Sequence, residues 1–134
     1  MTTATVEGVE VDTRHWIGGE RVKSETTFTD ISPIDEQPIA EISAGSTLEV
    51  DAAVEAAQQA FPAWAAMPRS ERAELLRKVA DGIDARTEDL ARVETRDNGS
   101  LLRSHRRSVM PRVGMNFRFF ADYVEKLDHP DSEI

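Results

Sequence analysis

The hydropathy period of this chain changes once, near residue 45, and that single change fixes the order of its secondary structure. From His15 to about Ser43 the apolar residues come in short extended pieces, HWIGG, RVKS, TFTDIS and QPIAEIS, broken at Ser32-Pro33 and Asp35-Glu36-Gln37-Pro38. Short alternating runs bounded by turn residues read as strands. Gly18-Gly19 lies between two of them and predicts a tight hairpin, because both glycines can take positive φ. A lone hairpin is marginal in water, so this one needs a covering element.

From Ser46 onward the spacing is helical. Ser46-Thr47-Leu48-Glu49 is an S-x-x-E capping box, and it opens a helix with a stripe of mostly small residues (Ala52, Ala53, Ala56, Ala57, Ala60) ending in Phe61 and Trp64. Pro62 is expected to weaken or kink the last turn. A second helix begins near Pro68, with Leu75, Leu76, Val79, Ala80 and Ile83 as its inner face. A third runs from Thr87 to Asn98-Gly99, a pair that tolerates the left-handed conformation of a helix end. A fourth stretch covers about 101–127 and is expected to be interrupted at Pro111. The predicted layout is therefore strands over 15–43 and three to four helices over 46–127, with the polar residues 1–13 as a disordered tail.

With 134 residues there is room for one domain and a modest core. The 25 acidic and 16 basic side chains give a net charge of −9, which argues against nucleic acid or an anionic membrane as partner. No run approaches the length of a membrane span and no secretory leader is visible, so a cytoplasmic protein is expected. The chain contains no cysteine, which excludes disulfides, thiolate metal sites and a cysteine nucleophile within it.

Few residues carry a chemical signal on their own. His15, His105 and His129 are scattered, none with a second ligand at helical spacing. Ser104-His105 is a poor nucleophile–base pair, since sequence neighbours on a helix point apart. Arg103, Arg106 and Arg107 make a basic knot without interleaved aromatics, expected to pair with surplus carboxylates. Arg112 is expected on the inward edge of the last helix, near Asn116, Phe117 and Phe120. There it would need an anion, either a protein carboxylate or a ligand carboxylate. No glycine spacing suits a phosphate loop, and no catalytic set is visible.

The order of the pieces is more informative than any one of them. HWIGGERVKS, TFTDISP, PIAEISAGS, AFPAWAAMPRSERAELLRK, ETRDNG and FRFFADYVEKL in succession resemble the opening of an aldehyde dehydrogenase, over Arg14 to about Leu127. The resemblance implies an α/β family fragment, part of that superfamily's cofactor-binding domain. The superfamily oxidises aldehydes to acids with NAD or NADP. Met110-Pro111-Arg112 and Asn116-Phe117 resemble the branch acting on carboxymethyl-hydroxymuconate semialdehyde. Relatives are three to four times as long. Their oxyanion segment, ribose-gripping Lys and acid, glycine-rich turn, general-base Glu and nucleophilic Cys have no match here. No catalytic or cofactor-binding residue carries over, and neither NAD nor NADP is expected to bind this chain alone.

Two smaller roles do carry over. The resemblance places the Asp97 carboxylate and the backbone carbonyl at Asp30 at a structural monovalent-cation site whose remaining ligand would come from outside this chain, the alternative for Asp97 being an interaction with its helix end or with Arg96. It also places Arg112 and Asn116 along the aldehyde tunnel, where Arg112 would suit a carboxylate-bearing substrate. ETRDNGS departs from the family pattern at Ser100, usually Lys. The expected partner is the remainder of a dehydrogenase subunit or a homo-oligomer. The competing reading is a non-catalytic docking module, or one half of a split enzyme.

Overall fold

The computed structural model describes residues 2–126. Three antiparallel hairpins come first: β1 (Thr3–Val6) with β2 (Val9–Asp12), β3 (His15–Ile17) with β4 (Glu20–Val22), and β5 (Thr27–Ile31) with β6 (Pro38–Ser43). Helices α1 (Thr47–Ala66), α2 (Arg69–Ala85) and α3 (Thr87–Asn98) follow. A single turn α4 (Leu102–Ser104) then leads through a π-helical turn at His105–Val109 into α5 (Met110–Lys126). Short strands followed by helices are the expected order.

The N-terminal residues are not a tail. Val6 pairs with Val9 across Glu7-Gly8, whose φ angles of 47° and 80° match the twist of a two-residue hairpin loop. TATV-EG-VEVD is itself a short alternating pattern, so the signal was present in the sequence. The hairpin is held because it docks. Val6 is buried, the Arg92 guanidinium donates to the Glu7 carbonyl at 3.1 Å, and the Thr13 amide reaches Thr2. Gly18-Gly19 makes the predicted turn, with φ of 59° and 85°.

Helices α2 and α5 form the tightest pair. Ala73, Ala80 and Ala121 are fully buried, and at Gly114 a β-carbon would sit 2.5 Å from an Asp84 carboxylate oxygen. Small residues let the two backbones approach closely, and charged forks close the flanks. Arg77 donates to Asp122 at 2.7 Å and also to Glu125, while Arg118 reaches back to Asp81 at 2.6 Å and Asp84 at 2.7 Å. Pairing Arg77 with the C-terminal end of α5, and Arg118 with the C-terminal end of α2, makes the helices antiparallel. The expected inner face of α2 is thereby corrected. Ala80 is buried as expected and Leu76 and Ile83 are half-buried, whereas Leu75 and Val79 are exposed and Ala73, outside the expected set, is fully buried, because close approach selects small residues over larger aliphatics.

Neither proline breaks its helix. α1 continues past Pro62 to Ala66. At Pro111 the chain enters from the π-turn, where the Met110 amide bonds the His105 carbonyl five residues back. Pro111 supplies no amide just where the ladder returns to α spacing, so its deficit coincides with a bond that is already being skipped.

Helix α1 is built differently. Its capping box forms as predicted: the Leu48 amide donates to Ser46 Oγ at 3.1 Å, and the Ser46 amide donates to Glu49 at 2.7 Å. Yet no α1 side chain is buried, and Leu48 and Phe61 are 77% and 64% exposed. It touches the body where Ala56 meets Gly18 on the β3–β4 turn. That contact answers what covers this hairpin: α1 lies over it. No helix among the described residues is long and apolar enough to cross a membrane.

Candidate functional site

Helix α3 ends against the β5–β6 hairpin, and its C-terminal sequence explains how. Gly99 caps α3 with a φ of 75°, and a β-carbon there would sit 3.0 Å from Pro33. Only glycine meets both the left-handed conformation and that close approach. Ser32, fully buried, donates its hydroxyl to the Arg96 carbonyl at 3.1 Å and accepts from the Ile34 amide. The Arg96 guanidinium binds Asp35 at 2.9 Å and approaches Glu7 at 3.9 Å. These ties fix α3 relative to β5.

One product of that fit is an acidic cavity of about 150 Å³, whose lining includes Asp30 from β5 and Glu94 and Asp97 from α3, with Val6, Ile42 and Val93 around them. Asp30 is half-buried. Its carboxyl is pushed up from the ordinary range by burial first, then by the charge of Asp97 and a hydrogen bond shared with it. The two aspartates named from the sequence are therefore brought together, across 67 residues of chain. Arg96, the other partner considered for Asp97, is committed to Asp35. Glu94 was missed by sequence reasoning, although it sits one turn before Asp97 on the same helical face. Its carboxylate accepts from Asn98 at 2.8 Å. Among the described residues no group of three or more His, Cys, Asp or Glu has the geometry to hold a metal ion.

Arg112 and Asn116 are not brought to that cavity. Both are exposed on α5, while Met110, Gly114 and Ala121 are its buried positions. The inward placement expected for Arg112 is corrected. Gly114 and Ala121 take the closest positions of α5 against α2, and Arg112 has no ion-pair partner among the described residues. Phe119, Phe120 and Tyr123 lie on exposed surface of the same helix. The Phe119 and Phe120 rings meet edge-on at 5.2 Å, and Phe119 stacks on Tyr123 at 6.2 Å.

The other polar candidates resolve into structural roles. Arg106 forks onto Glu88 on α3, with Nε–Oε2 at 2.7 Å, and holds that carboxyl below its usual range. His105 is 3% exposed with neither ring nitrogen hydrogen-bonded, so Ser104-His105 is no catalytic pair. His15 Nε2 lies 2.9 Å from Ser24 Oγ. His129 lies outside the described residues.

The sequence profile described as "Aldehyde dehydrogenase family" matches residues 20–133. The chain belongs to this family. It is 34% identical over 114 residues to the 5-carboxymethyl-2-hydroxymuconate semialdehyde dehydrogenase of Escherichia coli, covering 85% of this chain and 24% of that protein. Against the 2-hydroxymuconic semialdehyde dehydrogenase of Pseudomonas sp. (strain CF600) the identity is 41% over 119 residues, again 85% of this chain and 24% of the relative. Among solved structures, PnpE from Pseudomonas sp. WBC-3 superposes with a TM-score of 0.84 at 34% identity, over 91% of this chain and 26% of PnpE. PnpE has also been solved in complex with nicotinamide adenine dinucleotide. This aldehyde dehydrogenase chain thus spans about a quarter of the length of the relatives it matches.

Proposed function

We propose that this chain is the N-terminal segment of an NAD(P)-dependent aldehyde dehydrogenase subunit, which oxidises an aldehyde to the acid only together with the remaining three-quarters of the fold. The observation that carries this reading is the near-complete overlay of the chain on one quarter of a dehydrogenase, combined with apolar side chains on α1 and α5 that are exposed among the described residues. Wet apolar surface is forgone driving force, and a larger subunit supplies the missing cover. With no cysteine in the chain, the thiolate nucleophile has to come from the remainder. Cofactor binding by this chain alone is not expected.

Within such a subunit the Asp97 carboxylate and the Asp30 carbonyl hold a monovalent cation that braces α3 against β5. Arg112 and Asn116 face the aldehyde, with the Arg112 guanidinium pairing a substrate carboxylate. The exposure of Arg112, without an ion-pair partner among the described residues, supports that role, as do the muconate semialdehyde names of the relatives. In an active assembly, Arg112→Ala raises KM for carboxylate-bearing aldehydes at least tenfold, the scale of one charge-assisted pair, and spares uncharged aldehydes. An unchanged KM contradicts the assignment.

Co-expression with the complementary three-quarters of the Pseudomonas relative tests the main proposal. A co-purifying pair that reduces NAD with aldehyde supports it, and failure to associate contradicts it. The same exposed faces fit a second reading, a non-catalytic docking module or one half of a split dehydrogenase. A pair that associates without activity favours the module, and recovery of a natural cysteine-containing partner chain favours the split enzyme.

A further inference from the structure

Helices α1 and α5 each carry an exposed apolar stripe, and the charges beside the two stripes are of opposite sign. On α1 the stripe is Val50, Val54, Phe61 and Trp64, whose spacing puts them on one face of the helix, all exposed. That face is turned away from Ala56, the side chain that meets the β3–β4 turn. Asp51 borders it, and α1 carries the acidic Glu49, Asp51 and Glu55 with no basic residue at all. On α5 the stripe is Met115, Phe119 and Tyr123, on the side opposite the buried Gly114 and Ala121. Arg112 opens this face and Lys126 ends it. The acidic residues of α5, Asp122 and Glu125, turn to Arg77 on α2 instead. Arg112 has no ion-pair partner among the described residues, and neither stripe covers the other within one copy.

Val50 to Trp64 and Arg112 to Lys126 each span about 21 Å at the helical rise, so the two faces match in length. Laid parallel they also match in content. Asp51 then meets Arg112, Val54 meets Met115, and Phe61 falls between Phe119 and Tyr123. Reversed, Asp51 would face Lys126, whose charge already acts on Asp122 and Glu125. We propose that the α1 face of one copy of this chain docks, parallel and head to tail, on the α5 face of a second copy. The aromatic rings supply the apolar anchor, and the Asp51–Arg112 pair sets the register. A contact between two single helix faces lies at the small end of specific interfaces, so it is weak and the dilute chain is monomeric. The net charge of −9 opposes assembly at long range. Physiological salt screens that repulsion beyond about 8 Å and leaves the short pair in force. The contact does not depend on the enzyme reading, since it uses no residue from outside this chain.

The test is sedimentation equilibrium of the 134-residue chain in physiological salt. The apparent mass should rise with concentration across the micromolar to millimolar range. Phe61→Ser and Phe119→Ser should each weaken association about tenfold, the scale of an aromatic anchor. Both should leave the helical circular dichroism of the dilute chain unchanged, because these rings are exposed there. Charge exchange tests the pairing itself. Asp51→Arg alone and Arg112→Asp alone should each weaken self-association several-fold. Mixing the two variant chains should restore it, because α1 of the first and α5 of the second are then complementary. A chain that stays monomeric throughout that range overturns the proposal. So does a mixture that associates no better than its components. Association that the charge exchange leaves unaltered also overturns it, by placing the contact on another surface.

Discussion

Helices α1 and α2 both present rows of small residues, yet they end in opposite situations. The Ala73 and Ala80 row of α2 meets Gly114 and Ala121 of α5, with two arginine forks closing the flanks. Of the Ala52, Ala56 and Ala60 row of α1, Ala56 meets the tip of a hairpin at Gly18, and no α1 side chain is buried. A stripe of small residues therefore specifies a close approach without specifying what approaches. In one case the partner lies 40 residues down the chain. In the other, the account places it in the remainder of a dehydrogenase subunit.

That contrast can be broken most severely at its tight end. Gly114→Val should push a branched side chain into Asp84 and cost roughly 2–3 kcal/mol of stability, measured as a lower urea midpoint. A cost below half of that would mean the helices are not in close contact. Next in size, Arg77→Ala should cost about 1 kcal/mol, and a double-mutant cycle with Asp122→Ala should show coupling of about 0.5 kcal/mol. On α1, Phe61→Ala should change the stability of this chain by under about 0.5 kcal/mol, because the ring is already in water. A cost near 3 kcal/mol would show that α1 is packed after all.

Two further outcomes depend on ionisation. The Glu49 pKa is depressed from about 4.5 to about 2, so its contribution to α1 is complete above pH 4.5 and is lost as pH falls toward 2. Helix-end exchange in α1 should rise across that window, and Glu49→Gln should flatten the profile. Asp30 has the opposite sign. Its pKa is raised, so ionisation above the ordinary carboxylate range costs stability, and Asp30→Asn should give a slightly higher Tm at neutral pH without added salt. If the Asp97 carboxylate and the Asp30 carbonyl hold a monovalent cation, KCl should raise the wild-type Tm more than that of Asp97→Asn.

What could be read from the sequence divides along the same line. Local devices were legible: the Ser46–Glu49 box, the Gly18-Gly19 turn and the Asn98-Gly99 stop all depend on residues within four positions of one another. The β1–β2 hairpin was also local, but its Glu7 takes a positive φ that the residue type does not advertise. Tertiary choices were not legible. Which of Ala73 and Leu75 faces α5 depends on how near α5 comes, and the exposure of Arg112 follows from the same distance. The π-turn before Pro111 has no sequence signature beyond the proline, because the extra residue is absorbed by the backbone ladder. Asp30 and Asp97 were found through the family resemblance, whereas Glu94 needed the cavity to be seen.

The measurement that bears most directly on the central claim is amide hydrogen exchange over α1 and α5, in this chain alone and in complex with the complementary three-quarters of a dehydrogenase relative. The account predicts that α1 exchanges faster than α2 in the isolated chain, and that α1 and the exposed face of α5 slow by about a hundredfold or more in the complex. If α1 is already as protected as α2 in the chain alone, or if the complex leaves both helices unchanged, these faces are not waiting for the rest of the enzyme and the account is wrong.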